Sequence, residues 1–316
     1  MNRCLVLGGP GFVGQAACKE LMRRGFETIA ASRTHHPFGT FTSHRVVDRR
    51  DEDRLRQLLE EVRPDVLLDL ACERPADVAA VERSFRGERY VLVSCGIRAG
   101  SGGPLGPQEL LAPDAGAPPA GGSDPGEAGR RCETLVVSGS LPWTILRPPA
   151  ITGAFDPSLR IAAYIQRVED GGPVLVPEET YQQPLELAWV RDVGHACALA
   201  CDLRRPVAGR AYHVAFDGVT LEDLLLAIGR ALGRTPELVP VPYAEMPSGA
   251  SPYGPDPARP AGPVLDRERS ELGFEPSTLE DALAETLAWY LVARPSHPGY
   301  GGRAGELELA RRWRRA

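Results

Sequence analysis

Four glycines crowd residues 8–14, Gly8-Gly-Pro-Gly-Phe-Val-Gly14, directly after the apolar run Cys4–Leu7. Gly9, Gly11 and Gly14 satisfy G-x-G-x-x-G, and Gly8, Gly11 and Gly14 give the shifted G-x-x-G-x-x-G spacing. Positions without side chains let the backbone turn sharply and approach a pyrophosphate, which then rests on a helix N-terminus where free N–H groups and the dipole favour an anion. A plain tight turn is the competing reading, and the position between a strand and a helix argues against it. The next strand ends Ala30-Ala31-Ser32-Arg33, where an NAD site would place a carboxylate for the ribose 2′-hydroxyl. Arg33 suits a 2′-phosphate, with hydroxyls on Ser32 and Thr34 beside it, so NADP(H) is favoured over NAD(H).

The elements that must hold these residues follow from apolar spacing. Val13, Ala16, Ala17 and Leu21 recur at helical intervals up to Gly25, and Thr28–Ala31 completes a β-α-β unit. His44–Asp48 predicts a short strand, Asp51–Val62 a helix with its stripe at Leu55, Leu58, Leu59 and Val62, and Val66–Leu70 a buried strand. Ala76–Phe85 reads as a weaker helix and Tyr90–Val93 as a strand. Strands alternating with helices predict an α/β fold, a Rossmann-type doubly wound parallel sheet. Its ligand crevice lies at the carboxyl ends of the strands, just after Leu7, Ala31, Val47, Leu70 and Val93.

Gly100–Gly129 is a Gly/Pro/Ala-rich stretch, read as a long functional loop. Glu127–Val137 then predicts a helix and Trp143–Leu146 a strand; Asp192 is placed to N-cap a helix running to Leu203. Thr278–Val292 predicts a helix with Leu279, Ala282, Leu283, Thr286, Leu287 and Tyr290 on one face. The resulting division is a dinucleotide-binding domain over 1–150, with 185–218 returning to it. A smaller substrate lobe takes 151–184 and 219–293, and 294–316 is a C-terminal tail.

At 316 residues, 43% hydrophobic and 25% charged, the chain has a globular composition. A net charge of −6 argues against nucleic acid as a partner, and the Arg311-Arg-Trp-Arg-Arg315 run reads as a solvated helix end. No apolar run reaches the roughly 20 residues that cross a bilayer, and a core strand starting right after Met1-Asn-Arg leaves no room for a signal peptide. The seven cysteines form no C-x-x-C pair and read as small buried hydrophobes in a reducing, cytoplasmic setting, without a metal.

Together these residues resemble the extended short-chain dehydrogenase/reductase superfamily, of the NAD-dependent epimerase/dehydratase type, over nearly the whole chain. Gly8–Gly14, with Phe12 and Val13, is similar to its cofactor loop; Asp48, beside Arg49, matches the acid that holds the adenine amine. Asp69-Leu70-Ala71 resembles the strand end lining the cofactor, and Leu146-Arg-Pro148-Pro, with Gly153 and Asp156, the segment flanking the nicotinamide. Trp189-Val-Arg-Asp192 is similar to the substrate-lobe segment, and Glu271-Leu-Gly-Phe-Glu-Pro276 to the C-terminal one. The resemblance implies a small-molecule substrate and a homodimer.

The family's reaction rests on a Ser/Thr hydroxyl and on Tyr-x-x-x-Lys, one helical turn apart, the Tyr exchanging a proton with substrate oxygen. Aligned on Asp124-Pro125, the Tyr position is Gly126 and the Lys position Arg130, and Lys19 is the only lysine in the chain. Cys95, or Ser94, stands where the hydroxyl belongs. Arg130 offers charge and hydrogen bonds but no transferable proton. Two readings follow: an enzyme with relocated or proton-free chemistry, with Cys95, Tyr181 and Arg130 as catalytic candidates, or a non-catalytic NADP(H)-sensing protein.

Overall fold

The computed structural model describes residues 2–94, 125–253 and 265–314. In chain order the elements begin β1 (Arg3–Leu7), α1 (Phe12–Arg23), β2 (Glu27–Ser32), β3 (Ser43–Val46), α2 (Glu52–Val62), β4 (Val66–Asp69), α3 (Pro75–Ser84) and β5 (Arg89–Val93). They continue with α4 (Pro125–Ser138), β6 (Trp143–Arg147), β7 (Ala150–Thr152), α5 (Arg160–Glu169), β8 (Val174–Pro177) and β9 (Leu187–Trp189). Then come α6 (Val190–Cys201), β10 (Arg210–His213), α7 (Leu221–Leu232), β11 (Leu238–Val241), α8 (Leu279–Ala293) and α9 (Arg303–Trp313). Two compact units result: Met1–Pro149 with Val190–Ala215 and Leu265–Glu275, and Ala150–Trp189 with Phe216–Val264 and Pro276–Ala316.

The first unit is built on a seven-stranded parallel sheet in the order β10-β6-β5-β4-β1-β2-β3. The strand order reverses about β1: β2 and β3 lie to one side, β4 and β5 to the other, which makes the β1/β4 boundary the topological switch point. Leu7 stands level with Ala31 of β2 and Asp69 of β4, so three carboxyl ends meet at one height. Strands covered on both faces lose alternation and become continuous apolar runs, as in the fully buried Cys4-Leu-Val-Leu7. The α2 stripe Leu55, Leu58, Leu59 and Val62 is buried. Helix α1 packs against α6 so closely that a methyl on Gly194 would come within 2.6 Å of the Ala16 backbone. Cys4, Cys18, Cys197 and Cys201 are fully buried, and burial pushes the Cys18 thiol up to about 12.

The second unit holds two parallel strand pairs, β8 with β11 and β7 with β9, together with α5, α7, α8 and α9. The α8 stripe is buried at all six expected positions. Segment 294–316 differs from the tail read in the sequence: residues 303–313 are helical, and Leu309 and Ala310 are buried against Leu175, Val239 and Val241. Asp192 is also not a cap. It is the third residue of α6, because β9 runs into the helix at Val190 without a turn. An acid there still faces the positive end of the helix dipole.

Helix α7 has a full capping box, in which Thr220 Oγ1 accepts from the Asp223 N–H at 3.0 Å and Asp223 Oδ2 accepts from the Thr220 N–H at 3.0 Å. Thr220→Ala is expected to destabilise the second unit by about 1 kcal/mol, read as a lower urea midpoint at unchanged slope.

Candidate functional site

Each glycine of residues 8–14 answers a different local demand. Gly8 has φ +87°, a left-handed conformation that L side chains avoid, and its N–H donates to the Ala31 carbonyl at 2.9 Å. A methyl on Gly14 would sit 2.3 Å from the Gly8 carbonyl oxygen and 2.4 Å from that of Gly9, so only hydrogen lets α1 approach the turn. Gly9 is buried, and a methyl there would stand 2.6 Å from Ala30 Cβ. Gly9 is thus a packing residue, and the glycines that open onto the crevice are Gly8 and Gly11. Gly11 is the N-cap of α1; no side chain caps the helix and no acid lies in its first turn.

Above this turn lies a cavity of about 420 Å³, contained within the first unit. Its walls come from four of the five strand ends singled out in the sequence: Leu7 and Gly8, Ala31 and Ser32, Val47 and Asp48, and Ala71. Gly11, Arg33 and Arg49 also line it. Arg33 is exposed and has no carboxylate partner among the described residues. Asp48 is exposed and one of its oxygens, Oδ1, accepts from the Arg50 N–H at 2.9 Å.

Arg49 forms the floor. Its Nη1 donates to Asp69 Oδ1 at 2.5 Å and its Nη2 to the Asp77 carbonyl at 3.0 Å. The Tyr90 hydroxyl donates to the second Asp69 oxygen at 2.9 Å, and the Ala71 N–H to the first at 3.1 Å. Burial opposes the Arg49 charge, but the adjacent Asp69 carboxylate outweighs it and holds the guanidinium firmly protonated. Burial, then the Asp69 charge, pushes the Tyr90 phenol well up. The sequence offers Arg49 as a cofactor ligand; it lines the cavity with Nη1 and Nη2 engaged by Asp69 and Asp77, and among the described residues its buried Nε has no hydrogen-bond partner.

Other sequence-derived candidates are distributed more widely. Phe12, Val13 and Gly14 open α1, and Leu70 follows β4, half-buried. Ser94, at the carboxyl end of β5, is buried, and its Oγ has no hydrogen-bond partner among the described residues. Pro148 is buried just after β6. Gly126 and Arg130 lie one turn apart on α4, where Arg130 is half-buried. Tyr181 is a half-buried turn residue of the second unit, its N–H donating to the Pro177 carbonyl at 3.0 Å. Cys95 lies outside the described residues.

At the ends of β6 and β10 stands a set that the sequence reading passed over. Arg147 pairs with Glu133 of α4, both buried, Arg147 Nε donating at 3.0 Å to each carboxylate oxygen. His213 is in register with Arg147, and its N–H donates to buried Glu268 Oε1 at 2.8 Å. Burial, then Arg147 and Arg267, pulls the His213 imidazole down to about 4, so it is neutral at pH 7.

Thr34, His36, Arg50 and Glu73 also line the cavity, with Arg50 and Glu73 paired at 2.9 Å. His36 was legible in principle, since three of the six histidines fall within residues 35–44, directly after β2. These residues suit a dinucleotide. The glycine turn leaves room where any Cβ would intrude, Arg33 stands at the end of β2, and Ser94 carries an unsatisfied buried hydroxyl at a strand end. Among the described residues no group of three or more His, Cys, Asp or Glu is placed to hold a metal ion, and no helix is long and apolar enough to cross a membrane.

Comparison with known proteins agrees with this geometry. Residues 4–93 match the NAD dependent epimerase/dehydratase family. A stretch of 101 residues is 34% identical to 2′-dehydrokanamycin reductase of Streptomyces kanamyceticus, and spans 31% of this chain and 29% of that protein. In fold the chain is similar to WbmH of Bordetella bronchiseptica, solved with NAD+ (TM-score 0.65, 18% identity, 92% of this chain and 99% of that one). It is similar also to the UDP-glucose 4-epimerase of Thermus thermophilus, solved with NAD (TM-score 0.61, 21% identity, 92% and 99%). A third is the UDP-glucuronic acid 4-epimerase of Bacillus cereus, likewise with NAD (TM-score 0.65, 14% identity, 92% and 99%).

Proposed function

We propose that this chain, whose residues 4–93 are of the NAD dependent epimerase/dehydratase family and whose fold is that of the extended short-chain dehydrogenase/reductases, binds NADP(H) and acts on a small organic molecule. The observation that carries the reading is one cavity with Gly8 and Gly11 on one wall and an unpaired Arg33 on another. Gly8, Gly11 and the uncapped α1 terminus receive the pyrophosphate; Arg33, with Thr34, receives the 2′-phosphate, while Ser32, whose hydroxyl is held between the Thr34 carbonyl and His44, lines the wall beside it; Asp48 meets the adenine amine. Phe12, Val13, Leu70, Ala71 and Pro148 shape the walls of the bound dinucleotide, and Arg49 fixes the floor.

When bound, a nicotinamide ring gives or takes a hydride. The chain's own part is orientation and proton supply. Ser94, or Cys95 next to it, offers a hydrogen bond to a substrate oxygen. Arg130 adds positive charge on α4 but is too weak an acid to give up its proton. With Gly126 where the family has its phenol and Lys19 the only lysine, the proton comes from elsewhere, and Tyr181 is the candidate from the second unit. The similarity to a reductase supports reduction of a nucleotide sugar or secondary metabolite over a redox-neutral course. A cytoplasmic homodimer belongs to the same reading. The second reading, a non-catalytic NADP(H) sensor, draws on the same missing Tyr and Lys.

Fluorescence titration with NADPH and NADH tests the cofactor assignment. Arg33→Ala is expected to weaken NADPH about tenfold while moving NADH less than about twofold, since only the phosphate loses its charged partner. Equal losses for both dinucleotides would overturn it. Turnover of ketones or nucleotide sugars that falls in Cys95→Ala or Tyr181→Phe supports the enzyme; tight binding without turnover supports the sensor.

A further inference from the structure

Beside Arg33 the structure gathers three imidazoles that a dinucleotide site does not require. His44, on β3, has its Nε2 at 2.9 Å from Ser32 Oγ. That hydroxyl already donates its one hydrogen to the Thr34 carbonyl at 2.8 Å, so the proton between Ser32 and His44 belongs to His44 Nε2. Nδ1 is left as a bare lone pair, buried and without a partner. The His36 and His35 rings lie 5.7 and 5.9 Å from the His44 ring, both edge-on. His36 Nε2 is 3.1 Å from Thr34 Oγ1, and both residues line the cavity.

We propose that these histidines form a proton-linked clamp for the 2′-phosphate: as the phosphate docks beside Arg33, His36 and His44 take up positive charge, so that preference for the phosphorylated dinucleotide rises as pH falls. The inference rests on the NADP(H) reading and adds its regulation.

The charges around the cluster set the direction. His44 faces His35, His36 and Arg45 from the loop and its own strand, and Arg33 and Arg50 stand on the cavity wall. Arg45 has Glu61 at 3.4 Å; of the cavity carboxylates, Glu73 is held by Arg50, and Asp48 accepts from the Arg50 N–H through Oδ1 alone. Burial, then His36, His35 and Arg45, holds the His44 imidazole below its ordinary value. A phosphate dianion at Arg33 reverses the sign of that surrounding charge. An imidazole whose affinity for protons is higher with ligand than without takes up a proton on binding, and the ligand gains affinity as pH falls through the bound-state value. The phosphate's own second ionisation, near about pH 6, acts in the opposite sense because the clamp binds the dianion. Comparison of variants at the same pH removes that ligand contribution.

The test is calorimetry of NADP+ and NAD+ with the full chain, in buffers of different ionisation enthalpy, for the wild type, His36→Gln and Arg33→Ala. His36 sits in a loop, so its replacement leaves the sheet intact; His44→Gln is the second variant. The wild type is expected to take up on the order of half a proton with NADP+ near neutral pH and almost none with NAD+. The ratio of wild-type to His36→Gln affinity for NADP+ is expected to grow from about 1–2 at about pH 8 to about 5–10 at about pH 6. NADP+ preference with a pH-independent ratio, or equal proton uptake with both ligands, overturns the clamp and leaves the cofactor reading standing. NADP+ binding no tighter than NAD+ at every pH overturns the cofactor reading and the clamp with it.

Discussion

Glu306→Ala is expected to lower the stability of the second unit by about 3–5 kcal/mol. Arg167 of α5 is fully buried, and its charge is answered almost entirely by Glu306, with Nε and Nη2 donating to the two carboxylate oxygens at 2.9 and 2.6 Å. Two of its other hydrogens go to the carbonyls of Ala163 at 2.8 Å and Gly249 at 3.1 Å. Arg303 also donates to Glu306, at 3.1 Å, and holds Asp170 at 2.7 and 2.8 Å. Alanine leaves two guanidinium groups face to face in a dry interior. Charge removal without compensation is what makes such changes severe; a well-packed apolar pair is often neutral or better. Arg167→Met/Glu306→Leu is therefore expected to recover most of the loss. Urea unfolding measures both, and a loss under about 1 kcal/mol for the single variant would show that the pair is not the anchor of α9.

Gly14→Ala is expected to weaken dinucleotide binding at least about a hundredfold, about 2.7 kcal/mol. The new methyl would lie 2.3–2.6 Å from the backbone of Gly8 and Gly9, atoms that cannot swing aside as a side-chain tip would. Either α1 backs away from the turn or the turn opens, and both displace the N–H groups meant for the pyrophosphate. The helical content seen by circular dichroism should hardly change, which separates a lost site from a lost fold. Binding within about threefold of the wild type would remove the turn from the site.

The site was legible where its signals are local. Glycine spacing, the apolar strand before it and the Ser32-Arg33 end of β2 are all set by neighbours in sequence, and the carboxyl-end rule then found Ala31, Val47, Asp48 and Ala71. Partners far apart in the chain were not. The pairing of Arg49 with Asp69, twenty positions on, shows no pattern in the sequence that marks it. Arg167 drew no notice in the sequence, and Glu306 passed as part of a tail, because a buried ion pair spanning 139 positions leaves no periodic trace. Asp192 misled for a different reason: a strand that becomes a helix without a turn offers no capping signal to read.

Arg49 and Asp69 cancel beneath the cavity, so the base of the crevice is electrically silent and tied to the sheet. Residues 33–36, by contrast, belong to a surface segment outside any strand. On the proposed NADP(H) reading the residues that discriminate between ligands are therefore modular: a segment transplanted at 33–36 is expected to retune selectivity while the scaffold's own charge balance goes untouched.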